Sequence, residues 1–287
     1  MHSSRLFSGL RVDRAISIRL VRPVSRLLPG RRRHARIPIL MYHGIRPTLG
    51  ARHPYFETNI APALFARHME LLSNYGYTTV TLREVNEALL TGRAVGKWVA
   101  LTFDDGYRDF YTAAFPVLSK YGLTATVFVI PGLTGEQRID RDGKEFMTWG
   151  EIREVQSYGM QIGSHTMTHP QLHSMQPTQI KKELKQSKDL IEDKLGVAIQ
   201  SFAYPFAFPE QDRPFVQTMK DLLTLHGYCD GVCTIIGTAQ RGHDPLFLPR
   251  LPVNGYDDLP FLEAKLSGGY DWLHTFQYLR KRLRLAV

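Results

Sequence analysis

Two short stretches of the sequence combine residue types that can hold a metal ion and activate water. Asp104 and Asp105 follow the apolar run Trp98–Leu101. His165 and His169 stand four residues apart, directly after another short strand-like segment. One carboxylate and two imidazoles form a ligand set for a divalent metal that leaves positions open for water and substrate. The second carboxylate is then free to act as a base, so the two stretches together indicate metal-assisted hydrolysis.

Each stretch also has an ordinary structural explanation when it is taken alone. An isolated Asp-Asp-Gly sequence is typical of a turn or a helix cap. An isolated pair of histidines four residues apart is often an exposed pair on the surface. The combination at the ends of predicted strands is what favours a metal centre over these two alternatives.

Strand-like and helix-like segments alternate along the chain and would position these residues. The predicted strands are Ile37–Tyr42, Tyr77–Val80, Lys97–Phe103, Thr124–Ile130, Gln161–Ser164, Ser201–Tyr204 and Gly231–Ile236. The predicted helices are Pro62–Tyr75, Leu82–Leu90, Tyr107–Tyr121, Thr148–Tyr158, Pro177–Leu195 and Asp212–Leu225. Repeated strand–helix units predict a parallel sheet that closes into a barrel, with catalytic groups at the carboxyl ends of the strands. Residues 133–146 are predicted to form a solvent-exposed insertion.

The motifs resemble those of the polysaccharide deacetylases of the NodB-homology type, carbohydrate esterase family 4. The resemblance runs from about residue 37 to about residue 253, and its most specific parts contain the two aspartates and the two histidines. It is carried by Val99–Tyr107, Ala125–Val129, Met147–Trp149, Ile162–His165, His169–Pro170, Leu172 and Phe202–Pro205. The resemblance implies an α/β fold, a distorted (β/α) barrel of seven strands.

The resemblance also implies a role for individual residues. Asp104 would be the general base, and Asp105, His165 and His169 would hold one divalent ion, with zinc expected first and cobalt or nickel as alternatives. Phe206 stands where the family supplies a backbone N–H to the oxyanion. The implied substrate is an N-acetylated glycan.

The sequence departs from the usual family pattern at two places. Many members have an arginine two residues before the proline of the Phe202–Pro205 motif, where it fixes the base, but this chain has Ala203. Arg250 is the candidate replacement. The usual late histidine, the general acid, has no clear match near the C-terminus, whereas His43 follows an early apolar run. This resembles the branch that deacetylates poly-N-acetylglucosamine, in which the barrel is circularly permuted, and it makes His43 the candidate acid.

The positive charge is concentrated at the start of the chain. The formal net charge is +9, and residues 1–36 contain ten Arg and one Asp, so the remainder is formally neutral. The catalytic body is therefore not expected to bind nucleic acid. We expect a basic arm over 1–36, a catalytic domain over 37–268 and a basic amphipathic helix over 269–287.

The arm lacks the uninterrupted apolar stretch of a secretory signal, because arginines divide it, and no segment reaches the roughly 18 apolar residues of a spanning helix. Its mixture of apolar residues and arginine fits either a helix on an anionic membrane surface or a disordered leader. The first alternative would make the protein membrane-peripheral in the cell envelope.

The preferred function is a metal-dependent hydrolase that removes N-acetyl groups from amino sugars of an envelope polysaccharide or its lipid-linked precursor. Two alternatives stay open at this point. The same site could remove O-acetyl or N-formyl groups from a saccharide. A glycan-binding pseudoenzyme is the other alternative. The absence of arginine at position 203 and the lack of a clear match to the late histidine support it, whereas the intact set of Asp104, Asp105, His165 and His169 argues against it.

Overall fold

The fold is described from a computed structural model of the chain. The structure describes residues 12–21, 36–47, 57–93, 96–135, 139–140 and 143–285. For residues 280–285 it describes the backbone alone. Most of the basic arm, including residues 1–11 and 22–35, lies outside the described residues.

Seven parallel strands close into a barrel. The described residues form twelve strands, of which seven belong to the barrel: β1 (Arg36–Ile37), β2 (Ile39–Tyr42), β3 (Gly44–Ile45), β4 (Asn59–Ile60), β5 (Thr78–Thr79), β6 (Trp98–Phe103), β7 (Thr126–Val129), β8 (Gln161–Ser164), β9 (Ser201–Ala203), β10 (Asp230–Ile236), β11 (Ala239–Gln240) and β12 (Leu248–Pro252). The barrel order is β2-β12-β10-β9-β8-β7-β6, and pairing of β2 with β6 closes it, while β5 extends the sheet beside β6. The predicted seven-stranded barrel is thereby confirmed. The first barrel strand, β2, lies between β6 and the last strand, β12.

Helices surround the barrel and connect its strands. They are Val12–Ile16 continuing as Ser17–Val21, Pro62–Asn74, Leu82–Thr91, Phe110–Ala114 continuing as Phe115–Lys120, Trp149–Ser157, the short Leu172–Ser174, Pro177–Leu195, Arg213–Leu225, Leu259–Leu266 and Leu273–Leu285. Local sequence fixes several of their ends. Thr148 and Glu151 form a reciprocal capping box, as the Thr-x-x-Glu spacing predicts, and Gly196 ends the long helix in a left-handed conformation. None of the helices in the described part of the chain is long and apolar enough to cross a bilayer.

Alternation along the strands separates the barrel interior from the helix layer. In β6, Ala100 belongs to the apolar cluster on the inner face of the strands, which we call the inner cluster. Val99, Leu101 and Phe103 belong to the larger core on the opposite face, which we call the outer core. Because successive side chains of a strand point to opposite faces, the inward series continues through Thr102 to Asp104. The same period places Arg250 inward, two residues after the inner-cluster residue Leu248.

The structure differs from the sequence-based expectation in several places. β12 and the helix Leu259–Leu266 have no counterpart among the predicted elements. The prediction of a solvent-exposed insertion over 133–146 was wrong for its second half, because Lys144 and Phe146 are buried. These residues fold back over Tyr107, whose ring lies 5.2 Å from that of Phe146 and 4.3 Å from Lys144 Nζ.

The two terminal segments contact the barrel domain. Residues 12–21 of the predicted arm are helical, and Ile18 packs against the outer core. In the last helix, Gln277 receives the amide N–H of Ile236 and donates to the carbonyl of Thr234. The described part of the arm is thus a packed element rather than a detached leader. The membrane contact of the arm stays a prediction.

Candidate metal centre and active site

The side chains of Asp105, His165 and His169 converge at the carboxyl end of the barrel. The Nε2 atom of His165 lies 3.6 Å from Asp105 Oδ1, and Nε2 of His169 lies 3.5 Å from the same oxygen. One ligand atom from each residue fits within a 4.8 Å span. A tetrahedral zinc ion about 2.0–2.2 Å from each ligand atom would hold those atoms about 3.4 Å apart. The donor types and their separations therefore fit a divalent ion.

Unusual backbone conformations turn these side chains toward one point. Among the described residues, positive φ angles outside glycine occur at Asp105 (69°), Thr166 (68°), His169 (58°) and Phe206 (59°). Left-handed conformations cost energy for residues with a Cβ and cluster at functional sites. After β6, Asp104 continues the inward direction of the strand, and the left-handed turn at Asp105 lets the next carboxylate face the same cavity.

Hydrogen bonding at Nδ1 of His165 leaves its Nε2 atom available to bind a metal. His165 Nδ1 lies 2.8 Å from the carbonyl oxygen of Ala203. A carbonyl can only accept, so Nδ1 carries the proton and the lone pair is at Nε2, the atom that faces Asp105. Burial lowers the pKa of His169 to about 4, with the nearby His165 acting in the same direction. His169 is therefore neutral at physiological pH, which is the form that binds a metal.

Asp104 is held apart from the three-residue ligand set by a two-point ion pair. Arg250 donates from Nη1 to Asp104 Oδ1 at 2.7 Å and from Nη2 to Oδ2 at 2.8 Å. Arg250 is itself fixed, since its Nε donates to the Cys233 carbonyl at 3.1 Å and its Nη1 to Thr102 Oγ1 at 3.2 Å. Both members of the pair are buried. The contact of Arg250 with Asp104 is thus present and comes from β12; its role as the partner of the base stays a prediction.

The charge states of the two candidate proton-transfer groups follow from their surroundings. Burial alone would raise the pKa of Asp104, but the charge and hydrogen bonds of Arg250 outweigh it and hold the pKa well below its usual range. Asp104 is therefore an ionised carboxylate. His43 Nε2 lies 3.8 Å from Asp104 Oδ2. Burial lowers the pKa of His43, while the negative charges of Asp104 and Asp105 oppose that effect.

Phe206 lies beside the candidate metal ligand His169. Its ring is half exposed and its centroid lies 4.6 Å from that of His169. Its carbonyl accepts a hydrogen bond from Thr234 Oγ1 at 3.0 Å, which fixes the peptide orientation after β9. All seven residues singled out from the sequence are therefore found at one end of the barrel.

Sequence reasoning did not find the residue that holds the histidine loop. Glu183, on the helix Pro177–Leu195, accepts hydrogen bonds from the backbone N–H groups of Met167 and Thr168, both at 2.9 Å, and from Thr168 Oγ1 at 2.8 Å. His169 N–H in turn donates to Thr166 Oγ1 at 3.0 Å. Glu183 stands on a helix rich in Glu and Lys, and no local pattern distinguishes it from its neighbours.

Comparison with known proteins places this geometry in a family. The sequence model of the family described as Polysaccharide deacetylase matches residues 91–223. The chain is 34% identical over 237 residues to YxkH of Bacillus subtilis, which is named as a polysaccharide deacetylase, covering 82% of this chain and 76% of that protein. The chain belongs to the polysaccharide deacetylase family. The predicted enzyme class is also confirmed, a hydrolase that acts on carbon–nitrogen bonds other than peptide bonds.

Solved structures of deacetylases have the same fold. The deacetylase PplD of Streptococcus pyogenes, solved in complex with acetate, superposes with a TM-score of 0.71 at 30% identity, covering 81% of this chain and 99% of that one. IcaB of Ammonifex degensii superposes with a TM-score of 0.68 over 81% of this chain and 97% of its own, and at 24% identity it supports the fold alone. A shorter stretch of 107 residues is 34% identical to the poly-beta-1,6-N-acetyl-D-glucosamine N-deacetylase of Escherichia coli, covering 33% of this chain and 16% of that protein.

Proposed function

We propose that this polysaccharide deacetylase is metal-dependent and removes N-acetyl groups from amino sugars of an envelope polysaccharide or its lipid-linked precursor. The observation that carries the proposal is the convergence of the Asp105, His165 and His169 donor atoms beside a separately held carboxylate, Asp104. The names of the Escherichia coli relative and of the acetate complex of PplD support an N-acetylated glycan as substrate.

Asp105, His165 and His169 would hold one divalent ion, with zinc expected first and cobalt or nickel as alternatives. Two imidazole nitrogens and one carboxylate oxygen suit these metals better than the oxygen-preferring magnesium or calcium. Such an ion, when bound, polarises a carbonyl and lowers the pKa of water to about 7.

Asp104 takes the proton of the attacking water in this proposal. Its two-point ion pair with Arg250 keeps it in the accepting, ionised form and aligns the carboxylate plane. The ion pair lowers the basicity of the carboxylate as well, so its contribution lies mainly in position and permanent ionisation. Because Arg250 occupies one lone-pair direction on each oxygen, the remaining directions are available to water.

His43 supplies the proton to the departing amine, and the backbone N–H of Phe206 stabilises the oxyanion. His43 is partly exposed at the end of β2 and lies beside Asp104, so it can reach a substrate bound in the cavity. An amine is a poor leaving group until it is protonated, which gives amide hydrolysis a need for an acid. The donor from Phe206 would act where negative charge develops in the transition state.

The pseudoenzyme alternative is weakened by the contacts of Asp104. The argument for it was that Ala203 cannot orient the base, yet Arg250 supplies a two-point contact from another strand. A glycan-binding module needs neither an ionised carboxylate at this position nor a metal ligand set next to it.

Acetate release tests the reaction. The purified chain, stripped with chelator and reloaded with defined metals, should release acetate from N-acetylated glucosamine oligomers. The metal-free protein should release none. O-acetylated xylan and N-formylated oligomers in the same assay decide the alternatives. Absence of acetate release from every N-acetylated glycan, with each of zinc, cobalt and nickel, contradicts the proposal.

Matched variants test the division of roles. Asp105→Ala, His165→Ala and His169→Ala should each lose bound metal, measured by elemental analysis after dialysis, because each removes a ligand atom. Asp104→Asn should retain the metal and lose turnover by about 10²–10⁴-fold, the usual contribution of a general base. Equal metal loss in all four variants would show that the division of roles is wrong.

A further inference from the structure

Three side-chain contacts join the start of the described chain to its end. They hold the helical residues 12–21 against the start of the helix Leu259–Leu266 and against the segment that leads into the last helix. They are Tyr270 Oη to Asp13 Oδ2 at 3.0 Å, Trp272 Nε1 to Ser17 Oγ at 3.1 Å, and the ion pair of Arg14 with Asp258, whose shortest N–O distance is 2.5 Å. Two segments more than 240 residues apart in sequence therefore lie side by side.

The joined segments expose apolar side chains on their outer side. Ile18 faces the core, whereas Leu20 is 61% exposed, although it is only one helical turn from Ser17. In the last helix, Phe276 is 60% exposed and its ring lies 5.4 Å from that of Trp272, the partner of Ser17. Leu20 and Phe276 are therefore each one turn from the same hydrogen bond. We call the exposed residues Arg19, Leu20, Phe276 and Leu279 the terminal face.

The positive charge of the chain lies in stretches that adjoin these two segments in the sequence. Residues 37–279 contain 22 basic and 26 acidic residues, a formal charge of −4. The arm carries +9, and the end of the last helix adds Arg280, Lys281, Arg282 and Arg284 without an acidic residue. The two segments that the fold joins, residues 12–21 and the last helix, are thus each next in sequence to a basic stretch of an otherwise slightly acidic chain.

We propose that the terminal face docks the protein on an anionic lipid bilayer. Exposed apolar side chains flanked by arginine are the chemistry by which surface helices enter the headgroup region, and basic residues near an anionic leaflet add electrostatic attraction. The exposed apolar side chains of the terminal face favour lipid over a soluble polyanion, which would contact charge alone. This inference is independent of the reaction that the barrel catalyses, so it can fail while the proposed function holds.

Vesicle co-sedimentation of the full chain tests the docking. The protein should bind vesicles containing phosphatidylglycerol, bind pure phosphatidylcholine vesicles more weakly, and lose binding as salt screens the attraction. Leu20→Ser/Phe276→Ser should weaken binding to the anionic vesicles by at least about tenfold, because two apolar side chains no longer leave water. Arg19→Gln/Arg282→Gln should weaken it by about fivefold per charge.

A matched pair elsewhere on the surface provides the control. Leu90 and Leu225 are 73% and 64% exposed, as open to solvent as the tested residues, and Leu90→Ser/Leu225→Ser should leave vesicle binding unchanged. Circular dichroism and acetate release from a soluble oligomer should be the same in all these variants. Equal weakening by the control pair overturns the proposal, as does equal binding to neutral and anionic vesicles, or retention on heparin without any vesicle binding.

Fluorescence reports whether the two segments enter the bilayer as one surface. Cys229 is exposed and Cys233 is buried, so a Cys229→Ser background leaves no accessible thiol among the cysteines. A polarity-sensitive label at Leu20→Cys and, separately, at Phe276→Cys should shift to the blue on addition of anionic vesicles, whereas a label at Leu90→Cys should not. A shift at only one of the two positions contradicts a single docking face.

Discussion

Removing the guanidinium of Arg250 should expose how much of the site depends on one buried ion pair. Arg250→Met keeps an apolar chain of similar length but deletes both hydrogen bonds to Asp104 and the one to the Cys233 carbonyl. Both partners of the pair are buried, so Asp104 is left as a charge without its main counter-ion. Breaking a buried pair in this way costs about 3–5 kcal/mol. In a chain of this size that is a fall in Tm of roughly 6–20 °C.

The pH dependence of the free energy of unfolding provides a sharper test, because the contribution of Asp104 changes with pH in opposite directions in the wild type and in Arg250→Met. In the wild type the folded-state pKa of Asp104 is depressed, so its contribution to the free energy of unfolding is present above the unfolded pKa. That contribution disappears only as the pH falls through the much lower folded value. In Arg250→Met, burial acts without the arginine and raises the folded pKa above the unfolded one. Protonation then relieves the buried charge, and the stability deficit of the variant should shrink as the pH falls from about 7.5 to about 5.

A double-mutant cycle separates this effect from lost packing. Asp104→Asn removes the charge that Arg250→Met leaves behind, so the double variant should be more stable than the sum of the two single effects predicts, by about 2 kcal/mol. Urea unfolding in the presence of chelator measures the free energies without a contribution from bound metal. A deficit under about 1 kcal/mol for Arg250→Met near neutral pH, or one that is equal at both pH values, would refute the reasoning.

Two further predictions concern the proton donor and the histidine loop. His43→Gln should retain metal and lower turnover by about 10²–10⁴-fold, and it should abolish the alkaline limb of the pH–rate profile, because an acid must be protonated to act; a limb that persists in the variant would assign it to another group. Glu183→Gln should weaken metal binding by about 10–100-fold in a chelator competition, because the loop that carries His165 and His169 loses a charged acceptor for three hydrogen bonds. Asp189→Asn on the same helix, which removes an exposed ion pair with Lys185, should leave metal affinity unchanged.

The sequence could predict those parts of the site that follow from local residue patterns. The buried run before Asp104 and the strand before His165 have clear apolar signals, and the residue that directly follows a parallel strand lies at the carboxyl end of the barrel. These rules are sufficient to bring the ligand residues together, and their functional roles stay predictions. The closed barrel follows from repeated strand–helix units for the same reason.

β12 shows why the rest could not be predicted. Its sequence, Leu-Pro-Arg-Leu-Pro, contains two prolines, which argue against a central strand because proline cannot donate to the ladder. The pairing of β12 with β10 is irregular, because the register shifts between Val232 and Ile236 of the partner strand, and proline is tolerated at such irregularities. Arg250 stands within that irregular stretch. A periodicity argument gives no strand, and without the strand the direction of Arg250 is undetermined.

Contacts between distant segments were beyond sequence reasoning for a different reason. Arg14 and Asp258 are 244 positions apart, and each is an ordinary charged residue in its own neighbourhood. Glu183 is likewise one of several charged residues on an amphipathic helix, and its three donors come from a loop that exists only once the barrel has closed. In both cases the partner is selected by the packing of elements, which local patterns do not encode.

Ala203 and Arg250 lie on different strands, and their positions bear on the departure from the family pattern that the sequence predicts at Ala203. Ala203 on β9 and Arg250 on β12 both belong to the inward series of their strands, and β10 lies between those strands in the barrel. A side chain as long as arginine can reach the barrel axis from either position, so the requirement is physical rather than positional: a buried carboxylate needs a counter-charge with two donors. Loss of the arginine at one strand is therefore no evidence of lost activity as long as another strand supplies it. In the proposed mechanism Asp104 must be charge-compensated, and Arg250→Met is the substitution that removes that compensation.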